Sequence, residues 1–337
     1  MHSIDIKFGL TDTSDSNSGE CTTPGVAGST GNCAVGEYMT HPAFQAFDSN
    51  GFWVGKFESG YNGATSTSTA EVNLVETDKL VIKPNVHSWR NITIGNSFKV
   101  SYDYLREDES HMMKNTEWGA VAYLQHSMYG SRQSVRVNNN SAFITGYAAT
   151  VETTLGYNDS TSINGNLVES TVLNKDGTNT KLYNTTTGYT ASTTNNISGV
   201  YDMSGGAYEY VMGYNESASS VGVSSGLTSV YDDFFTNIYW EKYYDKYKSN
   251  SDKSYSNRIL GDATGEMGPV GKVTDPDGSA RPRVSWYEDY AYFVSSYNPW
   301  FLRCACFNDG ILTGVFASHN GSGGIYPYAS FRVVLIP

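Results

Sequence analysis

The chain of 337 residues is long for one domain and short for three, so it can bury a sizeable core. Charged residues make up only 17% and aromatic residues 14%, including 26 tyrosines, which is typical of an extracellular β protein rich in loops. The net charge of −12 argues against nucleic acid as a partner, and the lack of any apolar run of ~18 residues argues against membrane insertion of this chain.

The N-terminal part is predicted to be an extension. Residues 1–37 are polar and rich in Gly and Ser, so we expect a flexible piece followed by one compact domain over residues 38–337. Cys21 and Cys33 flank a loop of Thr, Pro, Gly and Ser within this piece. Two cysteines in this context are equally compatible with a disulfide and with free thiols.

Two segments in the first half predict regular structure. Residues 51–58 are apolar and aromatic, which indicates a buried strand. Asn115 predicts a helix N-cap with Glu117 in the first turn. The helix would continue to a stop at Gly130, with one face formed by Trp118, Val121, Ala122, Gln125 and Met128.

The second half predicts insertions between short strands. Residues 150–196 are dominated by Thr, Asn, Ser and Gly, which indicates a long surface insertion, and a second insertion is expected near residues 213–229. Residues 239–247 are aromatic and charged, and are compatible with a helix or with irregular structure. Residues 331–336 are apolar on both faces and predict a central strand. Weak periodicity with many short strands predicts that loops carry much of the fold.

The sequence offers no convincing catalytic motif. Residues 222–226 match the G-x-S-x-G pattern, but a nucleophile elbow needs a strand before it and a helix after it, and this match lies in a Ser/Gly-rich run. The six histidines show no paired spacing typical of metal ligands. Glu107, Asp108 and Glu109 are typical of a solvated acidic loop. We therefore predict no catalytic residue and no cofactor.

Residues 301–337 are unusual in composition. They contain no Lys, Glu, Gln, Met or Trp, although all five occur elsewhere in the chain. The residue types present are those encoded by codons with any base in the first two places and a pyrimidine in the third. Mutation directed at the adenines of Asn codons would leave this set, so the pattern indicates a diversified segment.

Short motifs around this segment resemble a known family. PWFLR at residues 299–303 and SFRVVL at residues 330–335 are similar to the borders of the variable region in proteins diversified by retroelements. In those proteins the region closes a C-type-lectin-like domain of the formylglycine-generating-enzyme type. Further stretches that resemble framework motifs of that family are residues 41–44, 51–58, 114–124 and 196–211.

The resemblance implies a fold, a location and a division of residues. The fold would be α+β and C-type-lectin-like, with short strands, few helices and long irregular loops. The protein would be extracellular, on a bacterial cell surface or alternatively on a phage tail. Framework positions would be Gly310, Gly314, Phe316, Ala317 and Ser330. Within a variable binding region at residues 304–328, the ligand-binding positions would be Cys306, Phe307, Asn308, Ile311, Leu312, Ser318, His319, Asn320, Gly321, Ser322, Ile325, Tyr326 and Tyr328.

These residue types suit a changeable binding surface. Substitution at exposed positions usually changes stability by only about 0.5 kcal/mol. Tyr supplies large contact area at low entropic cost, and small polar residues adapt their hydrogen bonds. We therefore expect a non-catalytic, hypervariable ligand-binding protein, an adhesin or receptor-binding protein, whose ligand is a protein or a glycan. His319 would make that binding sensitive to pH.

Two other functions stay open. The resembled family includes oxidases that hold copper with two cysteines near the C-terminal end, and Cys304 and Cys306 fall in that neighbourhood, although Cys304 and Ala305 stand where relatives usually have Gly-Gly. Gly206 replaces an Asn at the calcium site of the enzyme relatives, so the sequence leaves a metal site undecided. The other alternative is a structural pilus or fibre subunit whose terminal region packs against neighbouring subunits.

Overall fold

The computed structural model describes residues 51–63, 71–83, 86, 88–124, 192–219, 221–248, 259, 261–264, 289–305, 309 and 312–336, with residue 43 and the backbone of Lys7–Gly9 and Tyr38–Thr40. Several predictions lie outside these residues: the pairing of Cys21 with Cys33, most of the 150–196 insertion and the helix beyond Leu124.

Short strands carry the described fold. In chain order they are β1 (Lys7–Gly9), β2 (Tyr38–Thr40), β3 (Trp53–Val54), β4 (Gly60–Tyr61), β5 (Leu80–Val81), β6 (His111–Met112), β7 (Tyr208–Asn215), β8 (Asp245–Tyr247), β9 (Trp300–Arg303), β10 (Ser318–Gly321), β11 (Ala329–Phe331) and β12 (Val333–Leu335). The helices are α1 (Ile94–Tyr104), α2 (Asn115–Tyr123), α3 (Val221–Ser225) and α4 (Leu227–Val230), with 3-10 helices at Thr77–Lys79, Arg106–Asp108 and Ile238–Tyr243.

The main sheet has five strands and is built around β7. Strand β9 pairs antiparallel with β7, β10 pairs antiparallel with β9, and β11 and β8 both run parallel to β7. All eight residues of β7 are buried, as expected for a strand covered on both faces. The register places His319 opposite Leu302 and Leu302 opposite Tyr210. The C-terminal segment thus supplies three of the five strands, β9, β10 and β11.

The chain changes sheets at Arg332. Strand β11 ends at Phe331 in the main sheet, and β12 begins at Val333 as the central strand of a second, three-stranded sheet between β3 and β6. Val333 and Val334 are buried. The central strand predicted at residues 331–336 is therefore confirmed for β12, but the chain breaks between the two sheets.

The strand predicted at residues 51–58 is much shorter than expected. Only Trp53–Val54 forms a strand, and Trp53 is 49% exposed because β3 pairs with β12 at one side of the three-stranded sheet. Burial begins further along the chain, at Phe57 and Glu58. The apolar composition predicted burial correctly for the end of this stretch and incorrectly for its start.

Helix α2 begins one residue earlier than the sequence predicts. Lys114 is the N-cap and Asn115 is the first helical residue. The Glu117 carboxylate accepts the backbone N–H of Lys114 at 2.7 Å, so the acidic residue predicted for the first turn does cap the helix. Trp118 and Val121 are buried, as their helical spacing predicted.

Aromatic residues dominate the core beside helix α1. The Phe98 ring meets those of Phe234 and Trp240 at centroid distances of 4.9 and 6.0 Å, in the edge-to-face geometry that aromatic pairs prefer. Helices α3 and α4 lie within the region predicted as a second insertion, and Leu227 of α4 is fully buried. The 239–247 stretch, predicted as helical or irregular, forms part of a 3-10 helix followed by strand β8, which was not predicted.

These elements form a mixed fold of few helices and several small sheets, in agreement with the α+β prediction. Across the described ranges, no helix combines the length and apolarity needed to cross a membrane.

Candidate functional site

The described C-terminal residues separate into a buried framework and a half-exposed surface. Phe316, Ala317 and Ser330, three of the expected framework positions, are each at most 1% exposed. Gly314 has no room for a side chain, because a Cβ atom there would collide with the carboxylate of Asp289. The remaining framework position, Gly310, lies outside the described residues.

The expected binding positions divide into three groups. Cys306, Phe307, Asn308 and Ile311 lie outside the described residues. Leu312, Ser318 and Gly321 are buried. The surface itself is formed by His319, Asn320, Ser322, Ile325, Tyr326 and Tyr328, which are half-buried or exposed.

The three buried positions correct the prediction of a fully exposed set. Ser318 is 0% exposed, and its hydroxyl donates to the backbone carbonyl of Tyr292 at 3.0 Å. At Gly321 a Cβ atom would lie 3.0 Å from both Leu302 Cδ1 and Tyr210 Oη, so only a small residue fits there. Leu312 is 8% exposed. Their sequence positions fit the variable pattern, but their side chains face the core.

Stacked tyrosine rings form one end of the half-exposed surface. The rings of Tyr326 and Tyr328 are nearly parallel, with centroids 5.2 Å apart and planes 7° apart. Tyr326 also stacks on the buried Tyr210 at 6.2 Å, and Tyr328 meets Tyr208 edge-on at 5.7 Å. Ile325, which directly precedes Tyr326 in the sequence, is 47% exposed. The stack therefore connects the surface to the main sheet.

Backbone hydrogen bonds fix the turn that carries these rings. The Asn91 N–H donates to the carbonyl of Tyr326 at 3.0 Å, and the Tyr208 N–H donates to the carbonyl of Tyr328 at 2.9 Å. The guanidinium of Arg90 donates to the carbonyl of Pro327. A turn held at three successive residues by two separate segments of the chain is a rigid support for changeable side chains.

A second group of rings surrounds His319 at the other end of the surface. The imidazole lies 4.8 Å from the ring of Tyr292, 5.6 Å from that of Tyr208 and 5.9 Å from that of Tyr290. Burial lowers the pKa of His319 below its ordinary value of 6.5, against the opposing influence of the Asn320 carbonyl and Asp309. The ring is therefore neutral at pH 7.

The sequence analysis missed several members of this surface. Tyr208, Tyr290 and Tyr292 come from outside the 304–328 segment, and Asp309, inside it, accepts a hydrogen bond from the Tyr208 hydroxyl at 2.7 Å. One signal was present: Tyr290 and Tyr292 flank the buried Ala291, and residues two apart in extended chain share a face. The pairing of this stretch with β10 has no local sequence signal.

A buried ionic cluster lies under the surface, where β11 passes into β12. Arg332 is fully buried and holds both carboxylate oxygens of Glu209, with Nε to Oε2 at 2.9 Å. The same guanidinium donates to the carbonyls of Gly55 and Tyr201, at 2.6 and 2.9 Å. Four of its five N–H donors thus have acceptors, as a buried charge requires extensive hydrogen bonding.

Glu58, Glu209 and Cys304 approach one another closely beneath the surface. Their carboxylate and thiol atoms all lie within 4.8 Å of each other, which is a spacing compatible with a metal ion. Each group nevertheless has a protein partner: Glu58 accepts from the Ala207 N–H and the Ser88 hydroxyl, and the Cys304 thiol donates to the Ala207 carbonyl.

Burial and mutual repulsion favour the protonated forms within this group. Burial, followed by the nearby Asp202 and Glu209, raises the pKa of Glu58 well above its usual value. Burial raises the pKa of Glu209 to about 7 against the influence of Arg332. Burial likewise raises the pKa of the Cys304 thiol, with Glu209 and Glu58 adding to the effect. The protonated forms of Glu58 and Cys304 are therefore the stable ones here.

Gly206 has no room for a side chain such as the Asn found at this place in the enzymes that the sequence resembles. Its φ is +80°, and a Cβ atom there would lie 2.6 Å from Glu58 Oε1. The carboxyl group of Glu58 occupies the space that a side chain at this position would enter.

The G-x-S-x-G match has the wrong local structure for a nucleophile elbow. Residues 222–225 lie within the short helix α3, and the Ser225 hydroxyl donates to the carbonyls of Val221 and Gly222 at 2.6 and 3.0 Å. A nucleophile elbow would need a strand leading into the turn. The rejection of this motif from sequence is confirmed.

No known family model matches the chain, and no curated protein matches it.

Proposed function

We propose that this chain is a non-catalytic ligand-binding protein whose C-terminal segment presents a changeable surface on a C-type-lectin-like scaffold. The observation that carries the proposal is the division within residues 301–336. Phe316, Ala317 and Ser330 are buried where a framework is expected, while Tyr326 and Tyr328 form a half-exposed stack where variation is expected.

The backbone at Cys304 and Ala305 supports the family resemblance. Their φ angles are +68° and +57°, in the left-handed region that glycine adopts without strain. Relatives in the resembled family usually carry Gly-Gly at these two places. This chain has Cys and Ala at these places, yet its backbone still adopts the conformation that glycine favours. The shared conformation supports a shared local fold.

The nature of the surface favours a macromolecular ligand. Tyrosine rings offer large area at low entropic cost, and they occur commonly at energetically important positions of protein interfaces. We propose an adhesin or receptor-binding protein that acts at a bacterial surface or on a phage tail. Its ligand would be a protein or a glycan on another surface.

The oxidase alternative has weaker support. Copper chemistry needs an accessible thiolate. Cys304 is fully buried, donates to the Ala207 carbonyl at 2.8 Å and has a raised pKa. Its proposed partner Cys306 lies outside the described residues. The structural-subunit alternative has no specific observation in its favour.

A substitution scan with a folding readout tests the proposal. We expect most residue types to be accepted at His319, Ser322, Ile325, Tyr326 and Tyr328, with unfolding free energies within about 1 kcal/mol of the parent. Truncation of Phe316 to Ala and replacement of Ala317 by large residues should unfold the protein or cost about 3 kcal/mol or more. Equal sensitivity at both sets would overturn the proposal.

The DNA following the gene provides an independent test. Retroelement diversification requires a near-copy of the sequence encoding residues 301–337, with adenines at the differing positions, beside a reverse transcriptase gene. Finding it would support active diversification of this surface. If it is missing, the alternative of a structural subunit becomes better supported. Self-assembly of the protein that buries residues 304–328 would then be the observation that decides for that alternative.

A further inference from the structure

His319 presents an unused hydrogen-bond acceptor to solvent. Its Nδ1 lies 3.0 Å from the backbone carbonyl of Asn320, and because a carbonyl can only accept, Nδ1 carries the proton. In a neutral imidazole the other nitrogen, Nε2, then holds a lone pair. Among the described residues, no group donates a hydrogen bond to Nε2.

The surroundings of the His319 imidazole attract positive charge. Three tyrosine rings lie within 5.9 Å of the imidazole, those of Tyr208, Tyr290 and Tyr292. The faces of aromatic rings carry partial negative charge and hold cations such as ammonium and guanidinium groups. Asp309 adds a negative potential that His319 experiences directly. An anion finds neither a donor on Nε2 nor a favourable potential here.

We propose that the His319 imidazole and these three rings receive a Lys or Arg side chain of a protein partner, which donates an N–H to Nε2. The proposal rests on the ligand-binding function argued above and specifies the chemistry of one contact. A cationic donor satisfies both features at once, whereas a neutral hydroxyl satisfies only the hydrogen bond. The chain's net charge of −12 also favours encounter with a basic partner.

The test uses short peptides that differ in one side chain. The probes are N-acetyl-Gly-X-Gly-amide with Arg, Lys or norleucine at X, together with methyl β-glucoside as a neutral sugar. Each is titrated into the full chain while the imidazole resonances of His319 are followed by NMR. We expect saturable shifts for the Arg and Lys peptides, with affinities roughly two- to fivefold above that of the norleucine peptide, the range typical of exposed cation–π contacts.

Two variants separate the acceptor from the rings. His319→Phe keeps an aromatic ring and removes Nε2, and should reduce the Arg-peptide affinity by roughly threefold or more, followed through the tyrosine resonances. His319→Gln restores a side-chain acceptor and should recover part of that loss. Ile238→Ala, at a position 81% exposed in the 3-10 helix, is the matched control and should bind as the parent does.

Each contrary result has a definite meaning. Equal affinity for the Arg and norleucine peptides, unchanged affinity in His319→Phe, or no saturable shift with either charged peptide overturns the inference. Tighter binding of methyl β-glucoside than of the Arg peptide overturns it in favour of a neutral glycan. None of these results affects the outcome of the substitution scan, so the proposed function is tested independently of this inference.

Discussion

At the residue scale, two neighbouring side chains occupy backbone positions that suit glycine. Cys304 and Ala305 both have positive φ at the point where β9 leaves the main sheet. A non-glycine residue in the left-handed region costs about 1–2 kcal/mol. The chain therefore carries local strain at the start of the segment predicted to be variable.

Replacing Ala305 with glycine tests this strain. The relief of about 1 kcal/mol of backbone strain should offset the loss of a buried methyl group worth about 0.8 kcal/mol, so Ala305→Gly should be nearly neutral. Ala317 is equally buried but has no positive φ, so Ala317→Gly is the matched control and should cost about 1 kcal/mol or more. Chemical denaturation of both variants measures the difference, and equal losses would contradict the strain argument.

Glu58 is a second residue with a testable effect, because its raised pKa makes the stability of the fold depend on pH. Its pKa in the folded chain is raised by burial, and further by Asp202 and Glu209. The folded state therefore keeps a proton that the unfolded state loses above about pH 4.5. Folding takes up a proton in this range, so the stability contributed by protonated Glu58 falls as pH rises.

We expect Glu58→Gln to remove the fall in stability that Glu58 causes as pH rises. The amide keeps the shape, accepts from the Ala207 N–H and can donate to the Ser88 hydroxyl. Its melting temperature should match the parent near pH 4 and exceed it increasingly toward pH 8. Glu109→Gln, at an exposed ion pair with Lys242, should leave the profile unchanged. A constant difference between parent and Glu58→Gln at all pH values would contradict the assignment.

At the element scale, helix α2 depends on one buried acid. Glu117 accepts from the Lys114 N–H at the helix start and also contacts Nε2 of the buried His111 at 2.9 Å. Burial alone would raise the pKa of Glu117, but His111 and Lys114 reverse this and hold the pKa below its usual value. The charged carboxylate therefore stabilises the fold above about pH 4.5, and that contribution is lost as pH falls through the folded pKa.

Removing this acid should be costly. Glu117→Ala eliminates the helix cap and leaves His111 buried without its carboxylate, so we expect a loss of about 3 kcal/mol, near the value for breaking a buried pair. Glu107→Ala, at an exposed position in the Arg106–Asp108 helix, should change stability by less than about 0.5 kcal/mol. Urea denaturation at pH 7 compares the two, and similar small losses would show that the cap is unimportant.

At the scale of the whole molecule, Arg332 joins the two larger sheets. It lies between β11 and β12, pairs with Glu209 of β7 and donates to the Gly55 carbonyl just after β3. The pair is fully buried, so its net contribution depends on both members being present. This arrangement ties the surface-bearing sheet to the rest of the fold.

A double-mutant cycle measures that link. Arg332→Met leaves Glu209 buried and unpaired, and should cost about 3–5 kcal/mol. Adding Glu209→Gln removes the stranded charge and should recover part of the loss, giving a coupling energy above about 1 kcal/mol. Strictly additive losses in the cycle would show that the two residues act independently.

Sequence patterns predicted some features well because those features are local. The face of α2 formed by Trp118 and Val121 follows from helical spacing, and the central strand at Val333–Leu335 follows from an unbroken apolar run. The prediction of burial was wrong for the start of the 51–58 stretch. Composition cannot show that Trp53 belongs to a strand paired with β12 at the side of a three-stranded sheet.

The sequence by itself determined the mixed helix-and-sheet class, the acidic charge and the unusual composition of residues 301–337, since these depend on residue types and short spacings. Only the tertiary structure decided which of the positions predicted to vary face outward. It buried Ser318 against Tyr292 and brought Tyr208 of β7 to His319 of β10. Contacts between residues far apart in sequence depend on strand pairing, and strand pairing leaves no signal in either segment alone.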